Sequence, residues 1–441
     1  MATESGFLPG SREPSLPEVH SSVHVSRSPV FWRRLVGFLG PGFLISVGYM
    51  DPGNWATDIA GGSRFAYTLL SVIMISNLMA ILLQSLSLKL GVATERDLAQ
   101  LCREAFGPWA SFALWIGAEI AIAACDLAEV IGSAIALNLL FHIPLFYGVL
   151  ITGLDVLLIL LLQRWGFRVV EALVITLIGT IIAMFGAQLL FSRPEYGVAL
   201  HDLIVPSGSI LTNPAMLYIA IGMLGATVMP HNLYLHSSIV QSRKYERTTE
   251  GKREAIFMAN VDSALALTVA LFVNAAIVVV AAAVFYRSGH YEVAAIEDAY
   301  KLLSPLVGAA GASTLFAIAL LASGQNSSIT GTLAGQVVME GFIHIKLAPW
   351  LRRLITRSLA IIPTIIVVAL TGERGTEKLL LLSQVILSLQ LSFAVVPLVI
   401  FTGSRKRMGT FVNGPFTQSL AWTVAALIAG FNAWFLVLML R

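Results

Sequence analysis

The sequence predicts an all-α protein that crosses a membrane many times. Of its 441 residues, 57% are hydrophobic and only 12% are charged, and the mean hydropathy is +0.81. Soluble domains carry about 25% charged residues, so this composition excludes that class. A more specific observation is that two apolar segments are interrupted at mid-span by proline beside polar side chains, at Asp51-Pro52 and at Met229-Pro230.

Eleven apolar segments are long enough to cross a bilayer, since a transmembrane helix needs about 20 such residues. In chain order they cover residues 35–60, 66–88, 109–140, 145–162, 169–191, 214–240, 258–286, 309–340, 354–371, 378–401 and 417–440. The residues before them (1–34) are polar and rich in Ser, Pro and Glu. They are predicted to form a disordered cytoplasmic tail rather than a cleaved signal peptide.

Basic residues predict the orientation, because cytoplasmic loops carry an excess of Lys and Arg. With the N-terminus inside, 21 basic residues lie on the inner side and 7 on the outer side. Eleven spans then place the C-terminus outside. The net charge of +3 reflects this bias and gives no indication of nucleic-acid binding. The two cysteines, in a predicted cytoplasmic loop and in a span, form no extracellular disulfide framework. The one glycosylation-type match, at Asn326, falls inside a span, which favours a bacterial inner membrane.

The two breaks predict a cation site. Proline cannot donate the backbone hydrogen bond of a helix, and a carbonyl freed within a membrane needs a protein or water partner. Carbonyls at the end of a half-helix carry partial negative charge, and Gly48 and Ala226 are placed to offer them. Asp51 adds a full negative charge and Asn54 a neutral oxygen. The prolines lie 178 residues apart, so the breaks occupy similar places in two halves, as in repeat-built secondary transporters.

Met229 indicates which cation is bound. A thioether is a soft ligand that favours late transition metals, whereas Ca²⁺ and Mg²⁺ prefer oxygen. Asp, Asn, Met and two carbonyls suit Mn²⁺ or Fe²⁺ better than a closed zinc site. Gln384 in the tenth span is a further candidate ligand through its amide oxygen. The alternative for Met229 is ordinary core packing.

A separate set of residues is suited to proton transfer. Asp126 and Glu129 are three residues apart in the third span and share a helix face, where two carboxylates are costly unless protonated, paired or hydrated. Arg357 is their candidate partner, whether the pair is a relay or a structural ion pair. His231 follows the second break directly and titrates near neutral pH. His236 is either a member of the same route or a hydrogen-bonded core residue.

Three motifs resemble the Nramp family of proton-coupled divalent-metal transporters: Asp51-Pro52-Gly53-Asn54, the run from Met229 to Ser237, and the run from Gly324 to Thr332. The resemblance implies a LeuT-type fold with two inverted five-helix repeats (35–191 and 214–401), broken helices 1 and 6, and an appended helix (417–440). It also implies metal ligation by Asp51, Asn54, Met229, Gly48 and Ala226, and a proton route through Asp51, Asp126, Glu129, His231 and Arg357. The expected cargo is Mn²⁺, Fe²⁺ or a similar ion, with no cofactor and a functional monomer.

Three positions depart from the family pattern. Gly48 stands where many members have Ala, Asn326 replaces a more usual Ser, and Ser392 stands where many members have Pro. The last puts any kink in the tenth span in doubt.

Other classes remain open. A metal-selective channel predicts passive flux without proton coupling, and another transporter on the same fold would carry an amino acid. Asp51 and Met229 are poor partners for a substrate carboxylate. A membrane enzyme is not expected, since the sequence has no His-Glu-x-x-His motif or clustered His/Asp set with an open coordination position.

Overall fold

The computed structural model describes residues 14–26, 28, 30–154, 165–293, 295–309, 311–343, 349–371 and 374–439. Over these residues, helices occupy all or part of each predicted span. The fourth predicted span (145–162) continues past Gly153 into residues outside the described ranges.

The described helices before the second break are α1 (Phe31–Phe38), α2 (Pro41–Gly48), α3 (Pro52–Phe65), α4 (Leu70–Thr94), α5 (Leu98–Ala105), α6 (Pro108–Phe141), α7 (Leu145–Gly153), α8 (Phe167–Ser192), α9 (Tyr196–Ile204), α10 (Ser209–Thr212) and α11 (Pro214–Thr227). Those after it are α12 (Pro230–Ile239), α13 (Thr249–Ala281), α14 (Ile296–Val307), α15 (Ala312–Ile343), α16 (Pro349–Thr371), α17 (Arg374–Thr402), α18 (Arg405–Met408) and α19 (Pro415–Met439). Two short strands, β1 (Val23–His24) and β2 (Arg243–Lys244), pair in parallel.

The second broken span lies at the centre of the bundle. Six helical segments of the described chain are long and apolar enough to cross a membrane by themselves. Within Pro214–Ser242, which contains the second break, 94% of the most apolar window is buried, compared with 33% for α8. A side chain on the broken span therefore faces protein, whereas much of α8 faces outward.

The first span begins later than predicted. The sequence predicts one span over 35–60, but the chain forms the separate helix α1 and then turns at Gly40, whose φ of +140° is accessible mainly to glycine. Pro41 then starts α2 at a position where a missing N–H is harmless. The segment predicted as one span therefore begins in α1 and continues into α2, and the pair Gly40-Pro41 separates these two helices.

Residues 14–26, which lie in the tail that the sequence predicts to be disordered, make defined contacts with the rest of the described chain. Leu16, Val19 and Val23 are buried, and the backbone N–H of Leu16 donates to Glu340 at 2.8 Å. Val23 pairs with Arg243 just after α12. Three apolar side chains at spacings of three and four residues supply enough burial to hold a segment whose average composition is polar.

Candidate metal site and proton path

The first break is built by a proline and a capping carboxylate. The helix α2 ends at Gly48, Tyr49 and Met50 form a turn, and Pro52 begins α3. Asp51 caps α3, since its Oδ1 atom accepts from the backbone N–H of Asn54 at 2.7 Å. Asp51 is fully buried, so the break holds a carboxylate inside the protein.

The second break has the same construction without the carboxylate. The helix α11 ends at Thr227, Met229 is extended, and Pro230 begins α12. Met229 occupies the capping position and has no side-chain oxygen to offer the backbone. Its side chain is fully buried, in a cluster with Ala121 and Cys125 of α6 and Leu387 of α17.

The two breaks meet at the side chain of Asn54. Its Nδ2 atom lies 2.7 Å from Oδ1 of Asp51, 3.3 Å from the carbonyl oxygen of Gly48 and 3.1 Å from that of Ala226. Three oxygen atoms from the two broken spans thus converge on one point, although Gly48 and Ala226 are far apart in sequence. Oδ2 of Asp51 is buried without a hydrogen-bond partner. A cation at this point gains these oxygens, and rotation of the Asn54 amide presents its Oδ1 as another.

Neighbouring carbonyls freed by the first break have dedicated donors. The carbonyl oxygen of Val47 accepts from the hydroxyl of Ser327 at 3.4 Å. That of Tyr49 accepts from Nδ2 of Asn274 at 2.7 Å, and that of Met50 accepts from the hydroxyl of Ser323 at 2.5 Å. Ser327 belongs to the motif run that begins at Gly324. Ser327 of the eighth-span motif, with Ser323 and Asn274, therefore supplies hydrogen-bond donors to backbone carbonyls at the first break. The carbonyl of Gly48 instead accepts from the Asn54 amide.

Gln384 also reaches the first turn of α3. A Cβ atom at Gly53 would overlap the Gln384 amide, so the missing side chain of Gly53 makes room for it. Oε1 of Gln384 is buried and has no hydrogen-bond partner. The sequence predicts Gln384 as an additional ligand, and its free oxygen lies beside Gly53 in the first turn of α3.

The acid pair of α6 shares one arginine. Nη1 of Arg357 lies 3.8 Å from Asp126 and 3.4 Å from Glu129, and Nη2 donates to the hydroxyl of Ser328 at 2.6 Å. A Cβ atom at Gly331 would lie 2.7 Å from Oδ1 of Asp126 and 3.1 Å from Oε1 of Glu129. The motif glycine thus leaves the space that both carboxylates occupy, and the expected arginine partner is present.

Cys125 connects the acid pair to the second break. Its sulfur lies 3.5 Å from Oε1 of Glu129 and 3.8 Å from Nε2 of His231. Nδ1 of His231 has no hydrogen-bond partner. Cys125 stands four residues before Glu129, so helical spacing already places both on one helix face, a signal for this contact that the predicted proton route leaves out. Polar contacts therefore run from the first turn of α12 to Glu129 and Arg357.

His236 lies in a different set of contacts. Its Nδ1 atom is 2.9 Å from Oε1 of Gln84, whose Nε2 donates to the hydroxyl of Tyr49 at 2.8 Å. No contact within the described ranges joins His236 to Asp126 or Glu129. This placement favours the hydrogen-bonded core alternative for His236.

The three departures have structural counterparts. The amide of Asn232 packs against Gly48, where a Cβ atom would overlap it. Asn326 donates to the carbonyl of Val174 at 3.3 Å and so ties α15 to α8. Helix α17 is continuous through Ser392, whose hydroxyl accepts from Asn432 of α19 at 3.3 Å.

A buried ion pair closes the α2 end of the bundle. Nη1 of Arg243 lies 2.7 Å from Oε1 of Glu171, and its Nη2 donates to the carbonyl of Leu39 at 2.7 Å. Asp262 accepts from the backbone N–H groups of Gly40 at 3.1 Å and Gly42 at 2.6 Å. Glu171 of α8, Asp262 of α13 and Arg243, which follows α12 by four residues, thus hold the start of α2.

An oxygen-rich convergence at two broken helices is typical of membrane transporters that bind cations. Residues 42–438 match the family model described as Nramp, natural resistance-associated macrophage protein-like. The match covers most of the chain, so the chain belongs to the Nramp family.

Named relatives agree with this assignment. The chain is 62% identical over 98% of its length to a divalent metal cation transporter MntH of Nostoc sp., covering 97% of that protein. It is 59% identical to an MntH of Listeria innocua, with 98% and 97% of the two chains covered. Among solved structures, a manganese transporter of Eremococcus coleocola superposes with a TM-score of 0.89 at 44% identity, over 95% of this chain and 90% of that one.

The fold extends beyond the family. Mhp1, a nucleobase-cation-symport-1 transporter, superposes with a TM-score of 0.59 at 16% identity, over 91% of this chain and 83% of that one. This similarity concerns the fold alone and confirms the predicted LeuT-type architecture with broken helices 1 and 6.

Proposed function

We propose that the chain imports divalent transition metal ions, Mn²⁺ and also Fe²⁺, across the inner membrane by alternating access, coupled to protons. The observation that carries this proposal is the convergence of Asp51, Gly48 and Ala226 on the Asn54 amide. Met229 and Gln384 complete the proposed ligand set, the first with soft sulfur and the second with a free amide oxygen. The names of the relatives support a metal cargo.

The cargo displaces the hydrogen bonds that now occupy the site. Nδ2 of Asn54 holds the three oxygens together, and a metal ion takes its place when the amide rotates. The negative charge of Asp51 compensates the positive N-terminal end of the α3 dipole, which would otherwise repel the ion. Within the described residues, no group of three or more His, Cys, Asp or Glu side chains forms a metal site. A single charge with neutral ligands suits an ion that must be released again.

Proton coupling follows from the contacts between α12 and α6. A divalent ion at Asp51 favours the ionised carboxylate and expels its proton. His231 lies next to the second break, and Cys125 joins it to Glu129. We assign the exit of this proton to His231, Glu129 and Asp126, with Arg357 stabilising the charged forms of the acid pair.

Alternating access accounts for the burial of the ligands. Asp51 and Met229 are fully buried and Asn54 is 1% exposed, whereas a channel with a continuous pore would expose them to water. The Arg243–Glu171 pair must open to release the ion past α2. The basic loops place this side in the cytoplasm and the C-terminus outside. All proposed ligands lie in one chain, so a monomer suffices.

Uptake into proteoliposomes tests the proposal. The purified chain should accumulate Mn²⁺ and Fe²⁺ in preference to Ca²⁺, and an inward proton gradient should accelerate uptake. Internal acidification should accompany metal entry. Equal uptake of Ca²⁺, or Mn²⁺ flux that is indifferent to the proton gradient and carries no protons, would contradict selective transport or coupling respectively.

A further inference from the structure

A segment of the N-terminal tail is packed into the protein at the ends of two helices. We call residues 16–24 the N-terminal strap. Its apolar side chains Leu16, Val19 and Val23 are 2%, 5% and 5% exposed, whereas Ser22 and His24 are exposed to solvent. Apolar burial of this depth is typical of a core rather than of a loop that only covers a surface. The strap therefore has one face inside the protein and one face in water.

Helix α15 holds the first part of the strap. The backbone N–H of Leu16 donates to Oε2 of Glu340 at 2.8 Å, and Nε2 of Gln336 donates to Oε1 of Glu18 at 2.7 Å. Gln336 and Glu340 are four residues apart, so they lie on one face of α15. This helix is continuous from Ala312 to Ile343. The first part of the strap is thus fixed to a helix that has no break.

The second part of the strap follows the segment that continues α12. The backbone N–H of Ser21 donates to the carbonyl oxygen of Gln241 at 3.0 Å, and Val23 pairs with Arg243 in the parallel ladder of β1 and β2. Nη2 of Arg247 donates to the hydroxyl of Ser21 at 3.3 Å. The strap therefore connects the end of the second broken span to the end of α15.

The strap also supports the ion pair at the start of α2. Arg243, whose backbone pairs with Val23, has its Nη1 atom 2.7 Å from Oε1 of Glu171 and donates from Nη2 to the carbonyl of Leu39 at 2.7 Å. In the proposed transport cycle this ion pair opens when the ion leaves past α2. The strap thus bonds to the backbone of a residue whose side chain must move.

We propose that the N-terminal strap holds the end of α12 against α15 and so keeps the metal site closed on the cytoplasmic side until the ion is released. The proposal rests on the proposed function, because that function places these helix ends in the cytoplasm and requires the ion pair of Arg243 to open. The strap then detaches from α15 or from β2 in each cycle. The strength of its attachment sets the fraction of molecules that are open to the cytoplasm.

Loosening the strap without a change to the metal ligands tests this role. Val19→Asp places a charge at a position that is 5% exposed, where an unpaired charge is costly. Ser22→Asp adds the same charge at an exposed position of the same strap and is the matched control. Leu16→Ala removes apolar contacts without adding a charge, so it serves as the second variant if Val19→Asp fails to fold.

The native cysteines report when the metal site opens. The chain has two, Cys102 and Cys125, and both are buried. Cys125 packs in one cluster with Met229 and lies 3.8 Å from Nε2 of His231, so it stands beside the second break. In a Cys102→Ser background, a membrane-impermeant maleimide added to inside-out vesicles therefore labels Cys125 when the site opens to the cytoplasm.

The labelling rate measures the closing role directly. It should be about tenfold higher in Val19→Asp than in Ser22→Asp, because the added charge favours the detached strap. Leu16→Ala should exceed the control by a smaller factor, since it loses only apolar contacts. Rates equal to that of the control in both variants would overturn the proposal. Faster labelling only in right-side-out vesicles would place the strap on the outer side and would also overturn it.

Transport and binding separate closure from a merely structural role. The KM for Mn²⁺ uptake should rise about threefold or more in the two strap variants, because fewer molecules are open to the outside. The Kd for Mn²⁺ in detergent, where both sides are accessible, should stay within about twofold of the wild type. An unchanged KM, or a Kd that rises with KM, would overturn the proposal. If labelling changes as expected but the wild type fails to transport Mn²⁺, the proposed function fails and the closing role of the strap stands.

Discussion

Replacement of Asp51 by Asn separates the folding role of this residue from its charge. The Oδ1 atom of Asp51 caps α3 by accepting from the N–H of Asn54 at 2.7 Å. Asn caps helices as well as Asp does, so the free energy of unfolding should change by less than about 1 kcal/mol. The substitution therefore removes one negative charge from the convergence point while α3 keeps its first turn.

The loss of metal affinity can be worked from Coulomb's law. A metal–carboxylate distance is about 2.2 Å, and with the dielectric constant of water, about 80, a divalent ion and one negative charge attract each other by about 4 kcal/mol. This corresponds to a roughly 600-fold increase in Kd. The site is fully buried, so its lower dielectric constant strengthens this attraction, whereas the cost of desolvating both charges offsets part of that gain.

The assay is Mn²⁺ titration by calorimetry on the purified variant, with the thermal midpoint measured on the same sample. Asp97→Asn is the matched control, because Asp97 also caps a helix. It caps α5 by accepting from the N–H of Gln100 at 2.9 Å, and it lies outside the site. It should bind Mn²⁺ as the wild type does. A Kd for Asp51→Asn within tenfold of the wild type, in a folded protein, would refute the assignment of Asp51 as the charged ligand.

Three further outcomes are expected. Met229→Ala should keep much of the Mn²⁺ uptake but let Ca²⁺ compete better, because the soft ligand is lost. An unchanged Ca²⁺ competition curve would show that Met229 only packs in the core. The double variant Asp126→Asn, Glu129→Gln should uncouple or slow proton flux while the Mn²⁺ affinity stays nearly unchanged. The measurement is internal acidification recorded together with Mn²⁺ uptake. A collapse of Mn²⁺ binding would place the two carboxylates in the metal site. Burial raises the pKa of Asp97 to about 6, so the folded protein favours the protonated carboxyl. The contribution of Asp97 to the free energy of unfolding is therefore present below about pH 4 and is lost as the pH rises through about 6. The free energy of unfolding should change by up to about 3 kcal/mol over this range. Asp97→Asn should flatten the pH dependence of the thermal midpoint between about pH 4 and 6, and a midpoint that follows the wild-type pH profile would contradict this.

Local features of the sequence determined much of this protein. Each predicted span contains a helix over its described residues, because apolar length alone specifies a helix in a membrane. Both breaks occur at their prolines, since the missing N–H acts wherever the residue stands. The shared face of Asp126 and Glu129 follows from helical spacing. The burial of Leu16, Val19 and Val23 within the predicted tail does not follow from the sequence, because average composition does not reveal which residues elsewhere in the chain they contact.

The tertiary structure alone decided which distant groups meet. The carbonyls of Gly48 and Ala226 reach the same Asn54 amide, and the pattern of either segment fixes no distance between them. The link through Cys125 depends likewise on which helix faces pack together. Helical periodicity specifies the direction of a side chain from its own axis, whereas the partner at the end of that direction is set by the packing of the whole bundle.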